Sequence, residues 1–390
     1  MKRILYVTTV SRTINAFLVP HIKTLLDEGY LVDCATSIDK EIDDSIITRG
    51  VKIYEIPFNR NPLSYSNLKA FKELLNIQKK NNYDIIHVHT PIASIYGRLV
   101  KLKFNNIKTI YTAHGYHFFK GSSKLSWIIY YPIEKLMAKL TDLTININRE
   151  DYDVTKKRLK PRNCWLMNGV GLDLSKYKKL SEVENLIIRK KLGLEKDNFV
   201  IIMIAEFNSN KNQIQLIKAM ELIKDKYKNI KVICVGDGEN YNDLKREIEV
   251  RDLTGQIKLL GYREDINDLI NISDIGILLS YREGLPRNIM ELMACGKRVI
   301  ATNIRGCRDI VNNKEIGYLV QPGDYKGTSD YIVKLYKEKR LNEELNGKII
   351  ENCRTNYNIE TINNELVEIY KSITEEDKFN GEMSAHVTNE

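Results

Sequence analysis

Residues 281–302 read YREGLPRNIMELMACGKRVIAT. They follow an apolar run, 274–279, that ends at Ser280. Glu283 and Gly284 suit a loop, and Pro286 suits the first helical turn, because a proline there leaves no N–H unsatisfied. The helix is expected to reach about Cys295, with Gly296 closing it, and residues 298–302 form a second strand. The helix start carries free N–H groups and is a ready anion site. A diphosphate can sit against the amides near 287–289. Glu291 lies eight residues beyond Glu283, about two turns along, where a carboxylate can accept hydrogen bonds from ribose hydroxyls. Glu283, on the loop, can face a sugar. A glutamate near a helix start also simply complements the dipole, so the combination carries the reading rather than either residue alone.

The rest of the chain repeats this unit. Apolar, β-branched runs occur at 3–9, 30–36, 51–57, 84–90, 107–112, 142–147 and 163–167, and again at 199–205, 230–236, 256–260, 274–279, 298–302 and 316–320. Amphipathic stretches such as 68–80 and 213–228 separate most of them. Continuous apolar strands alternating with helices imply parallel sheets covered on both faces. The expected class is α/β, with two Rossmann-like doubly wound domains facing across a cleft. The first domain is assigned to 1–175 and the second to 185–358, with a polar, helix-like joint at about 172–197. The periodic stretch at 359–375 can pack back on the first domain, and the polar residues 374–390 are expected to fray. In open α/β sheets ligands bind beyond the carboxyl ends of the strands.

Composition narrows the class further. At 390 residues the chain suits two ordinary domains. No run of about 18 apolar residues is present, so no membrane-spanning helix is expected. The start, MKRILYVTTV, lacks the long apolar region and cleavage site of a signal peptide and reads as a strand. The six cysteines form no CxxC pair or zinc spacing, which favours a reducing cytoplasm. The net charge of +9 favours anionic partners or simply a lysine-rich solvated surface. No RNA-binding motif or zinc finger accompanies it, so nucleic acid is not an expected partner.

Residues 281–302 resemble the signature of the retaining glycosyltransferases of family 4, which have the GT-B fold. Glu283, Gly284, Pro286, Glu291, Met293, Ala294, Gly296, Val299, Ile300 and Thr302 match that pattern. Gly236-Asp237-Gly238 resembles the family's second phosphate-side loop. Gly261-Tyr262-Arg263, ahead of Asp265 and Ser273-Asp274, resembles its base-binding segment. Residues 304–306 and 317–320 continue the likeness. In the first half, IIHVHTP (85–91), YTAHGYHFFKG (111–121), YYPIEK (130–135) and TDLTININREDY (141–152) resemble bacterial capsule and exopolysaccharide members. The chain departs from the pattern at Glu206, which stands where the family usually has a diphosphate-binding Arg. Lys211 matches the family's Lys. If Glu206 faced a diphosphate it would repel it, so either it points elsewhere or Arg263, Arg282 or Arg305 takes the role.

The resemblance implies a role for each matched position. His114, Glu283 and Lys211 are the catalytic candidates. Gly236, Asp237, Gly238, Tyr262, Arg263, Gly284, Leu285, Pro286, Arg287 and Glu291 are the donor-binding candidates, and Thr9 and His117 the acceptor-side ones. His114 reads otherwise as a loop histidine with a structural hydrogen bond, and His87 and His89 as a structural pair on one strand. No metal or other cofactor is implied. The stretch 122–140, SSKLSWIIYYPIEKLMAKL, mixes Trp127, Tyr130 and Tyr131 with lysines. It reads equally as a membrane-surface contact or as a core helix.

The implied reaction is transfer of a sugar from a nucleotide-sugar, a UDP-sugar by preference, to a polyprenyl-diphosphate-linked saccharide, with retention at the anomeric carbon. It belongs to capsule or exopolysaccharide synthesis, in the cytoplasm and peripheral to an anionic membrane surface. A UDP-sugar epimerase of the same fold and a non-catalytic nucleotide-sugar-binding subunit are the alternatives.

Overall fold

The computed structural model of the chain describes residues 1–338 and 343–374; the tail read as frayed lies outside them, apart from Thr374. Two compact units are present. One comprises Met1–Gly171 with the helix Ile359–Thr374, and the other comprises Leu172–Asn358.

The first unit holds β1 (Arg3–Val10), β2 (Leu31–Ser37), β3 (Ile53–Glu55), β4 (Ile85–His89), β5 (Lys108–Ala113), β6 (Leu143–Asn146) and β7 (Asn163–Leu166). They form one sheet in the order β3-β2-β1-β4-β5-β6-β7. The second unit holds β8 (Phe199–Ile204), β9 (Ile230–Val235), β10 (Ile257–Leu259), β11 (Ile275–Leu278), β12 (Arg298–Thr302) and β13 (Gly317–Val320), in the order β10-β9-β8-β11-β12-β13. Every pairing in both sheets is parallel. The cause is visible in burial. β4, β6, β11 and β12 are buried at every position, as strands with helices on both faces must be. In each sheet the first strand is central and the order reverses beside it, between β1 and β4 and between β8 and β11. Those are the topological switch points where ligands of this architecture bind.

The chain crosses between units twice. At the crossovers Leu172 N–H donates to the Tyr357 carbonyl at 2.7 Å, and Leu172 bridges Asn358. The helix Ile359–Thr374 buries Ile362, Leu366, Ile369, Tyr370 and Ile373 in the first unit's core, with Ile4, Ile22 and Ile85. The segment read as a joint is instead part of the second unit. Its helix Glu182–Lys191 opens with a Ser181/Glu184 capping box, and Arg189 donates to the Ile272 carbonyl at 2.6 Å. None of the six cysteines is in a disulfide. Among the described residues no helix is long and apolar enough to cross a membrane.

Candidate functional site

In the second unit the loops after β8 and β11 meet at the switch point. Tyr281 N–H donates to the Asn210 carbonyl at 2.8 Å, and Asn210 Nδ2 donates to the Arg282 carbonyl at 3.0 Å. Lys211 Nζ lies 2.6 Å from Glu283 Oε1, with both side chains largely out of solvent. The two residues assigned to opposite ends of the donor therefore form one ion pair across the reversal of strand order. The loop after β12 supports it from the other side, where Arg305, itself buried, donates from Nε to the Glu283 carbonyl at 2.9 Å.

Glycines set how closely these loops approach. Gly306 has φ +67°, and a Cβ there would stand 2.0 Å from the Gly284 carbonyl oxygen. A Gly306→Ala substitution combines a left-handed backbone with an overlap against main chain. It is expected to destabilise by roughly 2–4 kcal/mol and to raise the donor KM by displacing Glu283–Gly284, as read from thermal unfolding and steady-state kinetics. Gly236 is confined in the same way, its Cβ site being 2.1 Å from the Ala205 carbonyl oxygen at φ +143°. The 236–238 loop is tied to the β8 loop through Phe207 N–H and the Asp237 carbonyl (2.8 Å), and to the 261–263 loop through Gly236 N–H and the Gly261 carbonyl (2.9 Å). Tyr262 beyond it is exposed. Arg263 is paired with its neighbour Asp265 at 2.7 Å, and that guanidinium holds the Asp265 carboxyl below the usual range.

The helix after Glu283 begins at Arg287 and ends at Ala294. Pro286 stands one position before it, as the N-cap rather than inside the first turn, and no side chain caps that end. The Ile289 N–H is already taken by the Pro286 carbonyl at 3.2 Å, so the last of the amides expected to face an anion is engaged within the chain. Leu285 packs on the unit's core, and Asn288 Nδ2 donates to the Ile204 carbonyl at 2.6 Å. Glu291 is mostly buried, and burial raises its pKa above the ordinary glutamate value. The Tyr177 side chain hydrogen-bonds its carboxylate, and Arg287 lies 3.5 Å away. Glu206 is exposed and accepts from Asn208 Nδ2 at 2.9 Å.

In the first unit the equivalent switch point brings Thr9 to Thr90. Their hydroxyls are 2.7 Å apart, and Thr9 N–H donates to Thr90 Oγ1 at 3.0 Å. Thr90 has φ +65°, a conformation that disfavours β-branched residues and that gathers at functional sites. His114, at the end of β5, shares a hydrogen bond with His89 (Nε2 to Nδ1, 3.1 Å). His87 bridges Tyr370 Oη at 2.6 Å and Thr112 Oγ1 at 2.8 Å, a structural role. His117 stacks on Tyr130 with ring centroids 4.6 Å apart.

Burial keeps His21, His87, His89 and His114 neutral. It lowers His114 and His21 to about 4 and lowers His87 and His89 well below the ordinary value. Their folded-state pKa values lie under the unfolded value of about 6.5. The stability this lends is therefore present above pH 6.5 and is lost as pH falls toward 4. Melting temperature is expected to drop steadily over that window, while transfer kinetics between pH 6 and 8 show no imidazole inflection from His114.

Two sequence profiles divide the chain between them. "Glycosyl transferases group 1" matches residues 184–355 and "Glycosyl transferase 4-like" matches residues 3–148. EpsD of Bacillus subtilis, which carries a provisional glycosyltransferase name, is 32% identical over 88% of this chain and 90% of its own. The chain is a group 1 glycosyltransferase of family 4. The UDP-Gal:alpha-D-GlcNAc-diphosphoundecaprenol alpha-1,3-galactosyltransferase of Escherichia coli is 29% identical over 80% of this chain and 79% of its own. Anabaena HepE, solved with UDP-glucose, shares the fold at a TM-score of 0.79 and 20% identity, covering 95% of this chain and 100% of its own.

In this glycosyltransferase the second unit gathers Lys211, Glu283, Gly284, Leu285, Pro286, Arg287 and the Gly236–Gly238 loop at the carboxyl ends of β8, β9 and β11. Thr9, His114 and His117 belong to the first unit. Sequence reasoning missed Tyr177, because it lies in the polar stretch read as a joint. It also missed Thr90 and Asn210. For Thr90 the residue type argues against the conformation it adopts, and Asn210 works through its backbone and amide. Among the described residues no group of three or more His, Cys, Asp or Glu side chains is arranged to hold a metal ion.

Proposed function

We propose that this glycosyltransferase moves a sugar from a UDP-sugar to a hydroxyl of a polyprenyl-diphosphate-linked saccharide, with retention at the anomeric carbon, during surface polysaccharide assembly. The observation that carries the donor half is the Lys211–Glu283 pair at the β8/β11 switch point (2.6 Å). Glu283 holds the lysine in place before the donor arrives. The diphosphate then competes for the same ammonium, beside the uncapped helix start at Arg287. Positive charge fixed where the leaving group develops negative charge is electrostatic preorganisation. Glu283 is left facing the sugar, and Glu291, held by Tyr177, accepts from the ribose. The departing phosphate oxygen takes the acceptor proton, so no dedicated base is needed. His114 and Thr9 line the acceptor-side unit.

The acceptor half rests on relatives. The Escherichia coli enzyme is named for a diphosphoundecaprenol-linked GlcNAc acceptor. A Campylobacter jejuni relative, 25% identical, is named for an acceptor on diphospho-undecaprenol, and CapM of Staphylococcus aureus for capsular polysaccharide biosynthesis. The test incubates the protein with a panel of UDP-sugars and a polyprenyl-diphosphate GlcNAc acceptor, and reads the anomeric coupling of the product by NMR. A retained anomeric configuration supports the reading. Inversion, or UDP-sugar epimerised without acceptor, contradicts it.

A further inference from the structure

The helix Lys124–Ala138 is apolar on two faces. Its inner face packs into the first unit. Trp127 and Tyr131 meet the Phe118 ring, at 5.2 and 5.6 Å between centroids. Glu134 is paired with buried Arg98 at 2.9 Å, and Met137 and Ala138 are buried. Of the two readings open for this stretch, Trp127 takes the inward one, and its indole N–H donates to the Phe119 carbonyl at 3.3 Å. The outer face is a stripe of Leu125, Ile128, Ile129, Ile133 and Leu136, with exposures of 63, 70, 45, 38 and 58%. Pro132 lies on the same exposed side. The spacing i, i+3, i+4, i+8, i+11 is that of a helix face made to be covered, and none of the described residues covers it.

Charge identifies what does. Lys124, Lys135 and Lys139 flank the stripe, and all three are exposed. The next turn of chain against this helix carries exposed Lys156, Lys157 and Arg158. It is fastened by a Lys135 ammonium that donates to the Arg158 carbonyl. Asp153, 3.7 Å from Lys157, is the carboxylate beside that triplet, and the helix's own Glu134 is spent on Arg98. A second copy docking on this stripe about a two-fold axis would set lysines against lysines. An anionic bilayer surface takes up both features at once, with acyl chains against the apolar side chains and headgroups against the cations.

We propose that the outer face of the helix Lys124–Ala138 is a membrane-docking surface that lies in the interface of an anionic bilayer, with the apolar stripe inserted and the lysines at headgroup level. It extends the reading of a polyprenyl-linked acceptor, which also resides in a membrane, but its test needs neither donor nor acceptor. Full-length protein is floated with vesicles of phosphatidylglycerol and phosphatidylcholine, and with phosphatidylcholine alone.

The parent is expected to bind the mixed vesicles and to be released by salt. A Leu125→Gln, Ile128→Gln, Leu136→Gln triple variant touches only exposed positions. It should keep the parent's melting temperature and lose about tenfold or more in vesicle affinity. A Lys124→Gln, Lys135→Gln, Lys139→Gln variant should lose its preference for phosphatidylglycerol. No flotation of the parent, or equal flotation of the apolar variant, overturns the proposal. So does a parent dimer in analytical ultracentrifugation that the apolar variant abolishes, because that assigns the face to a second copy. Failure of sugar transfer with intact flotation would count against the acceptor reading alone.

Discussion

Replacing Lys211 by alanine is expected to lower kcat for sugar transfer by roughly 10²–10³, the usual loss when one preorganised group opposite developing negative charge is removed. The same change leaves the Glu283 carboxylate, 13% exposed, without its cation. Destabilisation of about 1–3 kcal/mol follows, because a charge that has lost its partner away from water is the expensive state. A Lys211→Ala, Glu283→Gln double variant separates the two effects. Stability should return toward the parent value, since no unpaired charge remains, while kcat stays low. Melting curves alongside turnover at saturating donor make the comparison. If the single and double variants both turn over at the parent rate, the ion pair is structural and the site lies elsewhere.

Glu291→Gln carries the second large effect. The ionised carboxylate is the better acceptor for two ribose hydroxyls, and hydrogen bonds to charged groups contribute about 1.5–3 kcal/mol. The donor KM is therefore expected to rise roughly 10- to 100-fold, with a smaller change in kcat. Stability should move the opposite way. Burial raises the Glu291 pKa, so folding favours the protonated form. That contribution is present below the ordinary glutamate value and is lost as pH rises through the raised one. Above the raised value the parent must hold a buried charge, and the neutral glutamine should there melt at or above the parent temperature. The same shift predicts that the parent's donor KM climbs as pH is lowered toward the raised value, while the glutamine variant's stays flat. A variant that melts lower, with an unchanged donor KM, would remove Glu291 from the site.

The sheets were legible in the chain because their strands are uninterrupted β-branched runs, and only strands covered on both faces read that way. All thirteen runs marked in the sequence are strands. The loop and helix start at 283–291 were legible because Glu283, Gly284, Pro286 and Glu291 lie within one short stretch whose backbone requirements are local. What escaped reading depends on distant partners. Tyr177 reaches Glu291 from a polar segment with no periodic signal. Arg305 acts through the Glu283 carbonyl, a contact its own surroundings do not announce. The helix Lys124–Ala138 could not be assigned from composition to core or surface, because it is apolar on both faces and each face has a different neighbour. Glu206, the residue that broke the family pattern, turns out to be exposed and bonded to Asn208.

The donor is proposed to bind at the β8/β11 switch point of the second unit. Amide hydrogen exchange of the full-length protein with and without saturating UDP-sugar tests it most directly. Slowed exchange is expected in the loops 206–212, 236–240 and 281–288, with loss of that protection in Lys211→Ala at the same donor concentration. Protection elsewhere, with those three loops unchanged, would contradict it.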